Sequence, residues 1–526
     1  MMFVSPLLGY DSRTLLSAVY TDKKFPSNIE RVTNTQDTHR FTKPTHLPYY
    51  SEKRNVYLNL NGILQDSSGE YIVCRHLSTY WIQQFNELGG RIDYSKFNSP
   101  DGILASISMV KNESLHTGSG IIEFIEKDSW GFAILAIFRD MKINGDKIRA
   151  LDVYTTEHHM ALGLKIKPKP DGDCFVIQFY DPNHTGTHLR AAFSISEQEK
   201  IEKLTINDFI DKTEKINYGL KQQETVVFVD RHNPVIPPLV KTLPKNLLQP
   251  HVIYHAMYLG AADILKQLAK GIQPDVLSTR EMETLLSARN MNGCPGLFMA
   301  LQNGHVEVVR AYGAMLFKAQ LAPDKNAELL AAKGRDDSSK DVLPGLFMAL
   351  QNGHEDAVQA YGELLISAGL SQENNAVLLG ARSNHGIPGL LMSLYNGHTE
   401  SIRVYGKILL NIGLTSDTIA ELLAAKDASG VHGLFVALQE GHTEAVRAYG
   451  EILRNAELDS KKNAELLAAK DENGQPGLYM ASYNGHSESI LAYLDIVKLL
   501  GLNSESIADE FNETGRALFI KSLKRV

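Results

Sequence analysis

One short segment recurs five times in the second half of the chain, and this repetition constrains the fold more than any other feature. Each copy runs from a Gly-Leu pair to a Gly-His pair, and the copies begin at Gly296, Gly345, Gly389, Gly433 and Gly477. The spacings between them are 49, 44, 44 and 44 residues. A unit of this length cannot bury its apolar residues by itself, so the copies are expected to stack into a helical solenoid.

The pattern within one copy predicts two helices joined by a turn. In the fourth copy, apolar residues 434–438 form the first helix and Gly441-His442 forms the turn. The second helix then has Ala445, Val446, Tyr449 and Ile452 on one face. The segment KNAELLAAK, residues 462–470, predicts an additional short helix in each unit.

This unit resembles the ankyrin repeat, whose ~33 residues are extended here by the additional helix. Residues 251–268 are interpreted as a degenerate first copy and residues 505–526 as a closing cap. We therefore predict an all-α ankyrin-like repeat domain over residues 251–526, preceded by a Pro-rich linker over residues 236–250. Because the concave face of a solenoid is normally a protein-binding surface, the repeats are predicted to bind a protein.

Each repeat also carries a histidine directly after its turn glycine. We interpret these histidines as structural, because a residue that holds the same place in every copy is expected to make the same hydrogen bond in every turn. They are His305, His354, His398, His442 and His486.

A hairpin in the first half of the chain is predicted to bring a histidine and an aspartate together. Residues 158–167 alternate between apolar and polar side chains, Cys174 to Tyr180 is a second β-rich run, and residues 169–173 supply the turn. His158 enters the first strand and Asp181 leaves the second, so the two side chains are expected at the same end of the hairpin. Such a pair is the orienting half of a catalytic triad.

A nucleophile for this pair is predicted at Cys74. Among the three cysteines, Cys74 alone lies upstream of the hairpin, at the head of a predicted amphipathic helix that ends near Gly89-Gly90. A helix N-terminus and a nearby imidazolium both favour the thiolate, which is the reactive form of cysteine. Cys174 and Cys294 lie among apolar residues and are interpreted as small buried side chains.

Further strands are predicted at residues 121–125, 131–138 and 147–154. One helix followed by several strands indicates an α+β domain, which we place at residues 51–235. Residues 1–50 are rich in Thr, Ser, Asn and charged residues and are predicted to form a flexible arm.

The segments HHMAL and FYDPN, with the order Cys, His, Asp, resemble the ShET2 enterotoxin family of type III secreted effectors, which includes the Shigella OspD and Escherichia coli EspL effectors. The resemblance implies a papain-like cysteine protease domain followed by ankyrin-type repeats. It implies Cys74 as nucleophile, His158 as general base and Asp181 as orienting group. The family pattern favours His158, but His158 shares a strand face with Met160, so His159 stays open as the alternate base.

The same resemblance implies secretion through a type III apparatus, with residues 1–50 as a secretion-signal-like arm and a type III chaperone as a partner. The protein would then act in the host cytoplasm. Its targets would be host adaptors of inflammation and cell death that carry RHIM motifs, with the repeats binding the substrate. The alternatives are a host-modifying transferase related to the ADP-riboxanases and a non-enzymatic repeat adaptor.

Composition argues against several other functions. The net charge of −8 and the absence of a long basic run disfavour nucleic-acid binding. No apolar stretch is long enough to span a membrane, and three widely separated cysteines do not form a disulfide framework. No phosphate-binding glycine loop is present, and no cofactor is expected. His184 and His188 have a spacing that metal sites also use, but we predict loop histidines and no metal.

Overall fold

The structure is a computed structural model. It describes residues 58–66, 71–107, 119–211, 214–220, 225–232, 238–243, 247–271, 277–290, 293–335 and 342–524. The arm predicted over residues 1–50 lies outside these residues. The chain forms two compact units, made largely of the residues up to Pro234 and of those from Val235 onward.

The N-terminal unit is built on a β-sheet. Its strands are β1 (Ile121–Glu126), β2 (Ile148–Tyr154), β3 (His159–Lys167), β4 (Cys174–Tyr180), β5 (Leu189–Ser194) and β6 (Thr225–Asp230). They lie in the order β5-β4-β3-β2-β6-β1, and β3 pairs antiparallel with both β2 and β4. Ala161 is opposite Tyr180, so the predicted hairpin is confirmed. The residues just before β3 and just after β4 therefore lie side by side at the same end of the two strands.

Helices cover both faces of this sheet. They are α1 (Cys74–Glu87), α2 (Pro100–Ile107), α3 (Trp130–Asn144), α4 (Gln198–Glu202) and α5 (Glu214–Asn217), with 3-10 turns at Tyr94–Lys96, Pro182–His184, Ile195–Glu197 and Ile206–Asp208. Trp130 of α3 packs in a core with Met160, Leu162 and Leu164 of β3. On the opposite face, Trp81 and Phe85 of α1 pack with Ala161.

The strand predicted over residues 131–138 is wrong, because these residues lie inside α3. A short apolar run does not distinguish a buried strand from a buried helix. Here the run continues to Met141, and the helix ends at Gly145, whose φ of 77° is the left-handed conformation that terminates helices. The exposed face of α3 carries apolar residues such as Phe132, Ala136 and Ile143, so the sequence lacks the polar face that would have indicated a helix.

Helix α1 lies unusually close to strand β3, because β3 has a glycine at the contact. A Cβ atom on Gly163 would lie 2.4 Å from the ring of Phe85. Any larger residue at position 163 would therefore push α1 away from the sheet. A hydrogen bond of 2.8 Å from Ser78 Oγ to the carbonyl oxygen of His159 joins the first half of α1 to the start of β3.

The C-terminal unit is a succession of helices. The degenerate first copy forms α6 (Pro250–Tyr258), α7 (Ala262–Gly271) and α8 (Thr279–Leu286). The next copies form α9 (Gly296–Gln302), α10 (Val306–Ala319), α11 (Pro323–Ala331), α12 (Gly345–Gln351), α13 (Glu355–Ser367), α14 (Gln372–Leu379), α15 (Gly389–Asn396), α16 (Thr399–Asn411) and α17 (Ser416–Ala424). The last copies and the cap form α18 (Gly433–Glu440), α19 (Thr443–Asn455), α20 (Ser460–Leu467), α21 (Gly477–Asn484), α22 (Ser487–Leu499), α23 (Ser504–Ala508) and α24 (Glu513–Leu523).

The chain from Val235 onward also contains three short strands: β7 (Leu239–Thr242), which is the seventh strand in the sheet order, and β8 (Lys333–Arg335) and β9 (Val342–Pro344) among the helices. Strand β7 lies within the segment predicted as a linker. Strands β8 and β9 pair antiparallel and form the hairpin of the copy whose spacing is 49 rather than 44 residues. The additional short helix predicted near residues 462–470 is confirmed as α20.

The turn histidines connect each repeat to the one before it. His354 Nε2 lies 3.0 Å from the carbonyl oxygen of Gln302, and His398 Nε2 lies 3.0 Å from that of Gln351. The ring of His398 also lies against Gly353, which has a φ of 71° and would place a Cβ atom 2.7 Å from that ring. The histidines therefore connect neighbouring repeats. Each copy that is followed by another has a glycine at this place because the histidine of the next copy packs against it.

A buried tyrosine in the second helix of each copy makes an equivalent connection. Tyr405 Oη donates to the carbonyl oxygen of Leu379 at 2.9 Å, and Tyr449 Oη donates to that of Leu423 at 2.8 Å. These carbonyls are at or next to the last residue of the preceding short helix, where no intrahelical donor is available.

The described helices include none that combines the length and the hydropathy needed to cross a membrane.

Close packing of the second helices yields a prediction for Gly406. A Cβ atom there would lie 2.3 Å from Ile452 Cγ1. We expect Gly406→Ala to lower the free energy of unfolding by about 1–3 kcal/mol through overpacking, measured by urea denaturation. Combined with Ile452→Ala, which removes the obstructing atoms, the same substitution should cost much less. An equal cost in both backgrounds would contradict this explanation.

Candidate active site

Cys74 is the first residue of helix α1. Val73 precedes the helix in an extended conformation, and its backbone N–H donates to Nδ1 of His76 at 3.1 Å, which satisfies one N–H group at the helix start. The Cys74 side chain is a free thiol and is partly exposed. The prediction of Cys74 at a helix head is confirmed. Cys74 lies at the N-terminal end of α1, where the helix dipole favours negative charge.

His158 lies in the tight turn between β2 and β3. Its backbone N–H donates to Thr155 Oγ1 at 2.9 Å, and its carbonyl oxygen accepts from the backbone N–H of Thr155 at 2.9 Å. The imidazole stacks on the ring of Tyr218, with ring centroids 4.3 Å apart. These contacts fix both the backbone and the ring of a residue that is only 6% exposed.

Asp181 directly follows β4 and is buried beside His158. Its Oδ1 lies 2.8 Å from His158 Nε2 and accepts the backbone N–H of Asn183 at 2.9 Å. Its Oδ2 accepts the hydroxyl of Tyr218 at 2.5 Å. The carboxylate is thus held by three donors, and the sequence-predicted pair of His158 and Asp181 is brought together by the pairing of β3 with β4.

The charges of this cluster support one another. Burial lowers the pKa of His158, but the Asp181 carboxylate and the Cys74 side chain raise it more, to about 10. Burial raises the pKa of Asp181, but His158 and its hydrogen bond lower it to about 2. At neutral pH the pair is therefore an imidazolium and a carboxylate. Because Nε2 faces Asp181, Nδ1 is the ring nitrogen left to act on Cys74, whose side chain contributes to the raised pKa of His158.

His159, the alternate base, lies in a different environment. Its Nε2 is 2.7 Å from Asp152 Oδ1, and its ring stacks on Tyr154 with centroids 4.2 Å apart. Asp152 also forms an ion pair with Arg231, and this pair compensates the charge of the Asp152 carboxylate. Burial, followed by the charges of His158 and Arg75, lowers the pKa of His159 to about 3. His159 is therefore a neutral histidine held by the sheet, and the geometry favours His158 as the base.

The two histidines of the NHTGTH segment are separated by the fold. His184 Nε2 lies 3.0 Å from Glu214 Oε1, whereas His188 contacts Tyr94 Oη at 2.6 Å and Gln178 Nε2 at 2.9 Å. Asp181, His184 and Glu214 have ligand atoms within 4.8 Å of one another, and these are the side chains in the described residues that could hold a metal ion. His188 instead belongs to a polar network within the aromatic core around Trp81.

The structure also separates the other cysteines from the site and adds residues that the sequence did not indicate. Cys174 and Cys294 are buried, at 7% and 2% exposure, as expected for small core side chains. Tyr218 contacts both His158 and Asp181 but lies 37 positions after Asp181. No motif surrounds Tyr218 in the sequence, so its role could not have been predicted.

The fold and site together define a class of protein: a sheet-based unit with a Cys-His-Asp cluster at one sheet edge, followed by helical repeats. The model of the ShET2 enterotoxin N-terminal region matches residues 26–290, half of the chain. The chain therefore belongs to the ShET2 enterotoxin family, and the resemblance inferred from the sequence is confirmed.

Two curated proteins are similar to parts of this chain. Effector protease OspD3 of Shigella flexneri is 46% identical over 279 residues, which are 53% of this chain and 49% of OspD3. Ankyrin repeat protein A of Escherichia coli K12 is 25% identical over 288 residues, covering 48% of this chain and 38% of that protein. The chain thus spans at most about half the length of these relatives.

A crystal structure of an ankyrin repeat protein aligns with 47% of this chain and 98% of its own chain, at 12% identity and a TM-score of 0.31.

The opposite environments of the two adjacent histidines yield a prediction. We expect histidine-selective NMR at neutral pH to show an imidazolium ring that is absent in His158→Gln and a neutral ring that is absent in His159→Gln. The pKa of His158, about 10, exceeds the ordinary value of 6.5, so its ion pair stabilises the fold at neutral pH and weakens as the pH rises towards 10. A neutral His158 ring at pH 7 would contradict this assignment.

Proposed function

We propose that the N-terminal unit is a papain-like cysteine protease. The observation that supports this proposal is the placement of Cys74 at the start of α1, near enough to His158 to raise its pKa, while Nε2 of His158 is held by the buried carboxylate of Asp181. Neither a transferase nor a repeat adaptor gives this arrangement a role. The name of OspD3, effector protease, also supports this class of activity for the chain.

In the proposed reaction, the Cys74 thiolate attacks the carbonyl carbon of a peptide bond of the substrate. His158 then gives its Nδ1 proton to the leaving amine nitrogen, the C–N bond breaks, and a thioester with Cys74 remains. A water molecule gives a proton to His158 and attacks this thioester, which releases the acid product and restores the Cys74 thiolate and the His158 imidazolium. Asp181 keeps its proton-free form throughout and stabilises the imidazolium.

The first residues of α1 are proposed to bind the oxyanion of the tetrahedral intermediate. The backbone N–H groups of Cys74 and Arg75 have no acceptor within the helix because they precede its first complete turn. Donors of this kind, fixed before the reaction, stabilise the negative charge that develops on the carbonyl oxygen. Since the Val73 N–H is already bound by His76, it is not available for this purpose.

The biological setting is proposed from the family. ShET2-family membership supports export by a type III secretion system, action in the host cytoplasm and a secretion chaperone as a partner. The helical repeats are proposed to bind the host protein that is cleaved, since linking a binding surface to a protease raises the local substrate concentration. Host cell-death and inflammatory adaptors with RHIM motifs are the substrates that we propose.

Thiol reactivity tests the proposed site directly. With a peptide-like electrophilic probe at neutral pH, we expect rapid labelling of the wild type at Cys74 and none in Cys74→Ala. His158→Ala should slow labelling by about 10²–10⁴-fold, the usual contribution of a general base. His159→Ala should keep a far larger share of the rate.

Mass spectrometry of the labelled peptide and circular dichroism of each variant provide the controls. Labelling of Cys74 no faster than that of a free thiol, in protein that is folded by circular dichroism, would contradict the protease proposal. Equal loss in His158→Ala and His159→Ala would contradict the assignment of the base.

Tyr218 is proposed to position the His158–Asp181 pair. Tyr218→Phe removes a hydrogen bond to a buried carboxylate, an interaction worth about 1.5–3 kcal/mol, so we expect kcat to fall roughly ten- to a hundredfold. KM should change little, because Tyr218 contacts the triad members in the free protein. The matched control is Tyr180→Phe, a buried tyrosine whose hydroxyl bonds only weakly, at 3.4 Å, to the carbonyl oxygen of Thr185. Equal losses in the two variants would contradict the positioning role.

A further inference from the structure

Each repeat presents one basic side chain at the same place. This residue opens the short hairpin that leads into the first helix of a copy, and in four copies it pairs with the proline next to that helix. We call these residues the basic row: Arg289, Lys333, Arg382, Lys426 and Lys470. The first four are exposed and Lys470 is partly exposed.

Contacts join the successive hairpins of Arg382, Lys426 and Lys470. Arg382 Nη1 donates to the carbonyl oxygen of Lys426 at 2.5 Å. A Cβ atom on Gly386 would lie 3.1 Å from Ala428 Cβ in the next hairpin. The backbone N–H of His432, at the end of the Lys426 hairpin, donates to the carbonyl oxygen of Lys470 at 3.1 Å.

The hydrogen bonds of the basic row go to backbone oxygens, and Asp427 and Asp471 directly follow two of its members in the sequence. Within the described residues, none of the five forms an ion pair with a carboxylate. Their hydrogen bonds go to backbone carbonyls instead, as from Arg289 Nη1 to Gly293 and from Lys470 Nζ to Glu510, both at 2.9 Å. A carbonyl satisfies a donor but brings no compensating charge.

A second set of basic residues in the same repeats shows the opposite pattern. On the second helices, Arg310, Arg403 and Arg447 each lie within ion-pair distance of a carboxylate in the following repeat. The Arg403–Glu451 pair, for example, is 2.9 Å apart. Within the described residues, the second-helix arginines are therefore paired between repeats, whereas the members of the basic row are not.

The positive field of the row is strong enough to act on a neighbour. Burial, followed by the charges of Lys426 and Lys470, lowers the pKa of His432 to about 3. Lys426 and Lys470 therefore both disfavour a positive charge on His432.

We propose that the basic row binds an extended, acidic segment of a partner protein. Packed helices lie about 8–10 Å apart, so successive repeats offer one positive charge roughly every 10 Å. A polypeptide in the polyproline II conformation rises about 3.1 Å per residue with three residues per turn, so an acidic residue at every third position matches this spacing on one side. A nucleic-acid strand carries a charge about every 3.4 Å and would remain largely unneutralised. Identifying this partner as the substrate rests on the proposed protease function, but the binding itself does not.

The test measures binding without catalysis, in a Cys74→Ala protein. The probe is a fluorescent peptide with Glu at every third position, followed by anisotropy. Replacing Arg289, Lys333, Arg382 and Lys426 by Gln should weaken binding about tenfold or more, since each exposed charge contributes modestly. Binding should also weaken with added salt. The matched control replaces Arg310, Arg403 and Arg447 by Gln and should keep wild-type affinity.

Three results would overturn the proposal, in variants that melt like the parent protein. The first is an equal loss of affinity in the control variant. The second is unchanged binding when every Glu of the peptide is replaced by Gln. The third is equally tight binding of a single-stranded oligonucleotide of the same net charge, which would assign the row to polyanions in general. None of these results depends on whether Cys74 is a nucleophile.

Discussion

The close approach of helix α1 to strand β3 is the constraint on which the candidate site depends. Gly163 allows it, because a Cβ atom there would lie 2.4 Å from Phe85. The bond from Ser78 Oγ to the carbonyl oxygen of His159 then sets the position of α1 along the strand. Cys74 is the first residue of that helix, and His158 directly precedes that strand. This packing therefore brings the thiol towards the imidazole. A cysteine near a helix start has no such partner unless the helix is placed against the sheet in this way.

The site also shows how two adjacent histidines acquire different chemistry. His158 faces a carboxylate held by Tyr218 and the Asn183 N–H, and its pKa is about 10. His159 faces a carboxylate that is already paired with Arg231, and its pKa falls to about 3. His158 lies in the turn before β3 and His159 is the first residue of β3, so the two rings meet different neighbours. A compensated carboxylate cannot stabilise an imidazolium as an uncompensated one does.

In the repeats, the same contacts recur because the same spacing recurs. A glycine of one copy receives the histidine of the next, and a buried tyrosine of one copy donates to a carbonyl of the preceding short helix. These interactions hold neighbouring repeats together and leave the hairpins exposed. Within the described residues, the arginines of the second helices pair with carboxylates of the next repeat, whereas the basic row bonds to backbone carbonyls.

The sequence by itself determined the repeats, the presence of a helix with Cys74 near its head, and the pairing of His158 with Asp181, because period, turn residues and hairpin topology are local properties. It did not determine that residues 131–138 are helical, since the exposed positions Phe132 and Ala136 are as apolar as the buried ones and leave no polar periodicity to read. It also could not choose between His158 and His159, or find Tyr218. Those outcomes depend on which carboxylate, arginine and ring lie within a few ångströms of each histidine, and only the tertiary structure, through burial and charge compensation, decides that.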